Sequence, residues 1–467
     1  MSLRHYKEGA DRQSQPLPPT LDECIDADNP ARAIDAYVEM LDLEKMGFEY
    51  AGGELTRGQP AYHPEDLLKL YIWGYINRTN SSHRLELEAR RDLEVIWLLK
   101  GLRPSYRTIC FFRVHNKEVI KHVGADFISV CQDLELLGGE TAGIDGAFFE
   151  GDASKGSIKT KTSLERRATQ LAHKIDNYLA EMDAEDQDEI YLQTIRKDLR
   201  CCQDKLKVLE KSGETQYSST DHDARLLKKP TGKGPTAGYN VQIAVDSKCK
   251  IIVAHDVVND GNDSQQLAPM AKKAKEAMGS EHLTVLADGA YYNQMGIKEC
   301  IEANITPYVP VPKKNRPADE STRFERDDFQ YNPECNAYTC PAGALLKPSG
   351  TLEKKGKKMN KYSSKAKNCA ACSLCNQCLP QKTPYRQIYR WEYEEIADQH
   401  KDRMKKKGAE QMKKRAALAE HPFGTLKLWL GWTHFLLRGF EKVRAELELL
   451  VLSYNFRLPR TGAKSPT

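Results

Sequence analysis

The 467-residue chain has no apolar run long enough to cross a bilayer, and its N-terminus lacks the charged-then-apolar pattern of a signal peptide. A membrane or secreted protein is therefore not expected, and the chain reads as cytoplasmic. Charge of one sign is also scarce: 70 Lys+Arg against 66 Asp+Glu leave a formal net charge of +4, which by itself argues for no partner. Thirteen cysteines without a secretory signal do not suit a disulfide framework. Proline and glycine are missing from Ser163 to Lys211, a stretch rich in Leu, Ala, Lys, Glu and Arg. That stretch reads as a helical hairpin or coiled-coil-like arm, with its turn near Asp188.

What charge there is comes in clusters. Residues 354–368 carry seven lysines and no acid, and residues 401–415 carry eight basic residues against two acids. Each run alone is as easily a solvated face; two on one chain suit a polyanion held through its phosphates. At this length two or three domains are expected.

Residues 1–57 are polar, with one helix expected near Pro30–Leu43. Residues 58–138 are helical in pattern: Pro64, Glu65 and Asp66 open a first helix, Ser81-Ser82 precede a second, Ser105 precedes a third, and a fourth apolar stretch runs near Phe127–Leu136. The basic third helix makes Arg107 and Arg113 candidate DNA contacts in a helix-turn-helix arrangement; a bundle or dimerisation module fits as well.

Beyond residue 138 the chain reads as α/β. A strand holds Asp145, a hairpin follows at Gly238–Asp246 and Ile251–Val258, and a helix leads to a strand ending in Asp288. Another helix, a strand at Tyr308–Val311 and a long amphipathic stretch headed by Glu420 complete the order. A mixed sheet flanked by helices is the layered solution such an order prefers, and it is the order of a ribonuclease H-like core. That core is expected over residues 139–328 and 385–458, with the helical insertion at 160–215, a cysteine-rich insertion at 329–384 and a disordered tail at 459–467. Asp145 and Asp288 at strand ends and Glu420 at a helix start could converge on hard divalent cations, Mg²⁺ or Mn²⁺, which prefer carboxylate oxygens. Paired ions can activate a water and stabilise a leaving oxygen at a phosphodiester. Asp221, Asp223, Glu441, Glu446 and Glu448 are weaker candidates for the same site.

Six cysteines are grouped as Cys335-x4-Cys340 and Cys369-x2-Cys372-x2-Cys375-x2-Cys378. Such spacing suits Zn²⁺ bound by a subset of four, folding a segment too polar to build its own core. An iron–sulfur cluster is the competing reading.

Together these blocks resemble the DDE transposases of bacterial insertion sequences, in the insertion sequence 1182 family. The likeness is carried by Tyr62–Lys69, Leu102–Thr108, Ile144-Asp-Gly146, Thr220–Arg225, Gly238–Asp246, Ala287–Tyr292, Tyr308-Val-Pro310, the cysteine block, Glu420–Lys427 and Leu437–Arg444. The resemblance implies Asp145, Asp288 and Glu420 as catalytic acids, and Mg²⁺-dependent cleavage and strand transfer at the element's terminal inverted repeats. It implies Lys427 as a contact to the DNA end, with Arg415 standing in for an arginine that the related signature places nearby. Double-stranded DNA, both transposon end and target, is the implied partner, held by a homodimer or larger assembly at the bacterial nucleoid. A catalytically silent or domesticated DNA-binding copy, or a non-transposing nuclease on the same core, are the alternatives.

Overall fold

The computed structural model describes residues 20–49, 61–181, 188–228, 234–312, 323–354, 356–380 and 383–458. The expected tail at 459–467, and the expected N-terminal polar segment as far as Pro19, lie outside the described residues. The chain forms two compact units, residues 1–261, 276–280 and 417–467 in the first, and 262–275 and 281–416 in the second. Each is mixed α and β.

The first unit begins with helices α1 (Pro30–Met40), α2 (Pro64–Ile76), α3 (Ser82–Arg91), α4 (Tyr106–His115) and α5 (Lys117–Asp133). The Asn29 side chain caps α1 by accepting from the Ala31 amide, and Ser105 caps α4 by accepting from Thr108. Helix α2 is buried along most of its length, and even Lys69 on it is fully buried. Its ammonium is held among Asp35, Glu39 and Glu65, which is how a lysine survives inside a helical core. Helix α5 starts well before the expected Phe127, because its stripe of Ile120, Val123, Phe127, Ile128 and Cys131 continues upstream across Gly124.

Strands β1 (Thr141–Glu150), β2 (Ile158–Thr160), β3 (Gln216–Ser218), β4 (Arg225–Leu227), β5 (Thr236–Asp246) and β6 (Ile252–Val258) follow. β5 is buried at every residue and pairs antiparallel with β1, β4 and β6. A run buried on both faces loses the alternation that a half-exposed strand would show. Asp145 lies opposite Ile243, in the body of β1 and not at its end as expected; the strand continues through Gly146 to Glu150. The short β2–β3 pair carries the arm, helices α6 (Lys161–Glu181) and α7 (Glu189–Ser212). Asp188 caps α7 by accepting from the Ile190 and Tyr191 amides.

The second unit holds α8 (Leu267–Ala277, through Lys275), β7 (Leu283–Leu286), α9 (Gln294–Glu302) and β8 (Ile305–Tyr308), with β7 and β8 parallel. The last strand thus precedes the expected Tyr308–Val311. A five-stranded antiparallel sheet follows, β9 (Gln330–Asn332), β10 (Ala337–Thr339), β11 (Leu345–Lys354), β12 (Lys357–Ser363) and β13 (Gln387–Trp391). This corrects two expectations. The cysteine-rich segment does have a core, Phe329, Tyr338, Leu346, Tyr362 and Ile388, built from apolar residues spaced among lysines. Its sheet also runs past residue 384 to Trp391.

Helix α10 (Glu394–Gly424) is 31 residues long, and its residues from Ala417 onward count with the first unit. Glu420 therefore stands near the end of a helix, not at a head. Pro422 suggested a helix start, but the Lys-, Ala-, Met- and Glu-rich residues before it are strong helix formers and carry the helix through. The chain then widens into a π-type turn at Thr425–Trp429, as helices do where a proline disturbs the hydrogen-bond ladder. The final helix α11 (Phe440–Arg457) packs on α2, α5 and β6, so the N-terminal helices and the sheet share one unit.

Candidate active site

In the first unit, the end of α10 lies on β1. A Cβ placed at Gly143 would sit 3.2 Å from Leu418 Cβ and 3.9 Å from Ala419 Cβ. Farther along β1, the Phe149 ring lies 6.1 Å from that of Phe423 and 5.7 Å from that of Phe435. Positions 143, 145, 147 and 149 share one face of a strand, so Asp145 lies on the face of β1 that Leu418, Ala419 and Phe423 cover. The backbone at Glu420 continues directly from Ala419; the Glu420 side chain lies outside the described residues. Past the π-type turn the chain stays on β1, with Glu150 N–H donating to the Thr433 carbonyl (3.0 Å) and Phe435 N–H to the Glu150 carbonyl (2.8 Å).

Lys427 does not follow Glu420 at α-helical spacing, because the π-type turn intervenes. Its ammonium donates to the Phe148 carbonyl (3.0 Å) and lies 4.6 Å from the Phe149 ring centroid.

In the second unit, Asp288 follows β7 and opens a single 3₁₀ turn, Gly289–Tyr291. Its Oδ1 accepts from the Ala290 amide at 2.8 Å, which fixes the carboxylate. Among the described residues its Oδ2 takes no hydrogen bond, so a hard, oxygen-seeking cation finds an available ligand atom there. Asp288 therefore fits the donor type that Mg²⁺ needs.

The weaker acid candidates are committed elsewhere. Asp221 is buried, accepts from the Tyr239 hydroxyl at 2.7 and 2.8 Å, and takes the Gly439 amide at 3.1 Å. Asp223 takes the Phe440 amide at 2.8 Å. The Thr220–Arg225 motif is thus a cap delivered from a distant loop to the start of α11. Asp223→Ala is expected to lower the stability of the first unit by about 1 kcal/mol, read as a shifted urea midpoint, while Asp223→Asn keeps most of it. Glu446 is buried and accepts from the Leu436 and Leu437 amides; burial raises its pKa above the ordinary carboxyl value. Glu441 pairs with Lys117.

Glu448 faces His255 at 3.0 Å, and burial pushes its carboxyl up to about 8. A folded-state pKa raised above the ordinary 4.5 means a contribution to stability that is complete below 4.5 and lost as the pH rises through about 8. Glu448→Gln is expected to flatten the decline in stability between those limits, as measured by denaturant unfolding at a series of pH values. A wild-type decline that persists unchanged in the variant would assign it to another group.

Of the basic candidates, Arg107 is exposed on the first turn of α4, its guanidinium against the Tyr106 ring. Arg113 corrects the sequence reading as a DNA contact. It is 3 % exposed, donates to the Tyr75 hydroxyl and lies over the Tyr71 ring, inside the helical core. Its place on a basic helix did not reveal which face it takes. Arg415 is half-buried on α10, and Lys405, Lys406, Lys407, Lys413 and Lys414 on the same helix are exposed.

Cys340, Cys369, Cys372, Cys375 and Cys378 line one cavity of about 290 Å³, whereas Cys335 is exposed and outside it. Among the described residues, the group of three ligating side chains that converges within 4.8 Å is Asp35, Glu39 and Glu65, and the Lys69 ammonium already occupies it.

Two family matches bear on this geometry. Residues 339–458, which include the cysteine cavity, α10 and α11, match the family described as "Transposase DDE domain". Residues 19–115, helices α1 to α4, match "Transposase domain (DUF772)". Both are transposase families. Together they support a DDE transposase. No curated protein matches the chain. Among solved structures, a piggyBac transposase synaptic complex with hairpin DNA aligns at 10% identity over 95% of this chain and 78% of that one. Its TM-score of 0.35 is too low to transfer a fold. No described helix is long and apolar enough to cross a membrane.

Proposed function

We propose that the chain is a transposase of the insertion sequence 1182 type, with a ribonuclease H-like core, that cuts the ends of its own element and joins them to target DNA. The observation that carries this reading is the placement of the α10 end across the Asp145 face of β1, α10 itself lying in the segment 339–458 that matches the transposase DDE family. The element order supports it as well: three antiparallel strands, then helix, strand, helix, strand and a long helix.

Asp145, Asp288 and Glu420 are the acids assigned to catalysis. DDE transposases use divalent metal ions, and Mg²⁺ bound by these carboxylates would neutralise charge at the phosphate under attack. The chain's own contribution is position. Asp145 is fixed by its register with Ile243, and Asp288 by the Ala290 amide. Lys427, whose ammonium is held on the Phe148 carbonyl, is the candidate contact to a backbone phosphate, and the exposed lysines of α10 are further candidates. Arg107 is the remaining candidate contact on the N-terminal helices. Paired-end chemistry calls for at least two copies on DNA.

The test is a duplex carrying the inverted repeats that flank the gene, incubated with purified protein and Mg²⁺. Nicking at the repeat boundary, followed by joining to a supercoiled plasmid, supports transposition. Nicking without joining supports a plain nuclease, and binding without nicking supports a silent DNA-binding copy.

A further inference from the structure

The cavity among the cysteines is not explained by strand cleavage. Five thiols line it, from the β10–β11 turn at Cys340, from the short helices Ala366–Ala370 and Cys375–Cys378, and from Cys372 in the link between them. Cysteines at this density in one cavity, free of disulfides, are the donor set of a soft cation.

We propose that four of the five cavity cysteines, Cys340, Cys369, Cys372, Cys375 and Cys378, hold one structural Zn²⁺, and that Cys335, outside the cavity, does not. Cys340 and Cys378 both pack against the Phe329–Tyr338–Leu346–Tyr362–Ile388 core, so the ion would tie the sheet to the short helices. The supporting contacts suit thiolates. The Ala344 amide donates to Cys340 Sγ at 3.2 Å, across a turn closed by Gly343 at φ +80°, and Ser364 Oγ lies 3.0 Å from Cys369 Sγ.

Four thiolates and one Zn²⁺ leave a net charge of about −2. Arg386 lines the same cavity, its guanidinium held by the Cys378 and Phe324 carbonyls at 2.9 and 3.1 Å. Its Nε is buried without a hydrogen-bond partner. That positive charge offsets part of the excess. No three of the sulfurs lie within 4.8 Å of one another in this structure, so tetrahedral closure needs side-chain rotation, for which the cavity leaves room. Binding breaks four S–H bonds, passes the protons to solvent and forms four Zn–S bonds, with no change of oxidation state. It does not rest on the transposition reading.

The experiment measures metal content of the full chain, purified under reducing conditions. About one zinc per chain is expected. Serine variants of four of the five cavity cysteines should each reduce it at least about fivefold, while Cys335→Ser leaves it unchanged. Loss in Cys335→Ser, retention in two or more of the five cavity variants, iron with visible absorption, or a folded metal-free chain overturns the assignment. Since a variant can fail to fold, the unmodified protein is also alkylated with iodoacetamide and the labelled cysteines are mapped. Four of the five cavity thiols should be protected until a chelator is added, with Cys335 modified at once. Equal labelling of all six before chelation overturns the proposal.

Discussion

Asp288→Asn is expected to lower Mg²⁺-dependent nicking of terminal-repeat DNA by at least about a thousandfold, equivalent to about 4 kcal/mol of lost transition-state stabilisation. The amide keeps the side chain's shape and can still accept from the Ala290 amide, so the turn after β7 survives. What it loses is the negative charge that a hard cation requires. Asp288 is only half-buried and opens a single 3₁₀ turn, so the thermal unfolding midpoint should barely move. Asp145→Asn should behave alike. A gel-based nicking assay beside an unfolding curve makes the comparison. Activity that survives either change would place the chemistry elsewhere.

Gly238→Ala should instead destroy the first unit's sheet. A Cβ there would lie 2.0 Å from the Phe149 carbonyl oxygen, 2.7 Å from the Gly151 nitrogen and 2.9 Å from Glu150 Cα. All three are main-chain atoms, and the ladder fixes them: Gly238 is the register partner of Glu150, and the Gly151 amide donates to Ala237. Nothing flexible can yield, so β1 and β5 must separate at the end of β1 that carries Phe149. A loss of about 3 kcal/mol or more is expected, against a few tenths for an exposed glycine, and is measurable by urea unfolding. Because β1 also carries Asp145, cleavage should fall with it. A variant of near wild-type stability would mean that the β1–β5 contact is looser than the geometry requires.

These two glycine- and aspartate-centred motifs show what a linear chain discloses. Asp288 before Gly289 reads as an acid at a strand end, and it is one, because strand and turn are local. The arm between Ser163 and Lys211 was legible for the same reason: no breaker interrupts it, and Asp188 supplies the cap at its turn. Features that depend on distant partners were not legible. Asp221 and Asp223 looked like possible metal ligands, and only the fold shows them meeting the amides of Gly439 and Phe440. Arg113 carries the same charge as Arg107, yet one faces the Tyr71 and Tyr75 rings and the other solvent. Glu420 was misplaced on its helix because Pro422 is an ambiguous signal, permitted at a first turn and tolerated near a last one. The cysteine segment seemed coreless because its five core residues are scattered from Phe329 to Ile388 among lysines.

The claim on which the functional reading depends is that Asp145, Asp288 and Glu420 share bound cations. Replacing Mg²⁺ by Fe²⁺ and adding ascorbate and peroxide generates hydroxyl radicals at the bound ion, which cut the polypeptide nearby. Mapping the fragments by mass spectrometry should show cuts near Asp145, near Asp288 and near Glu420 together. All three should be suppressed by excess Mg²⁺ and lost in Asp145→Asn. Cuts confined to one of the three segments, or persisting at the other two after Asp145 is neutralised, would contradict the shared site.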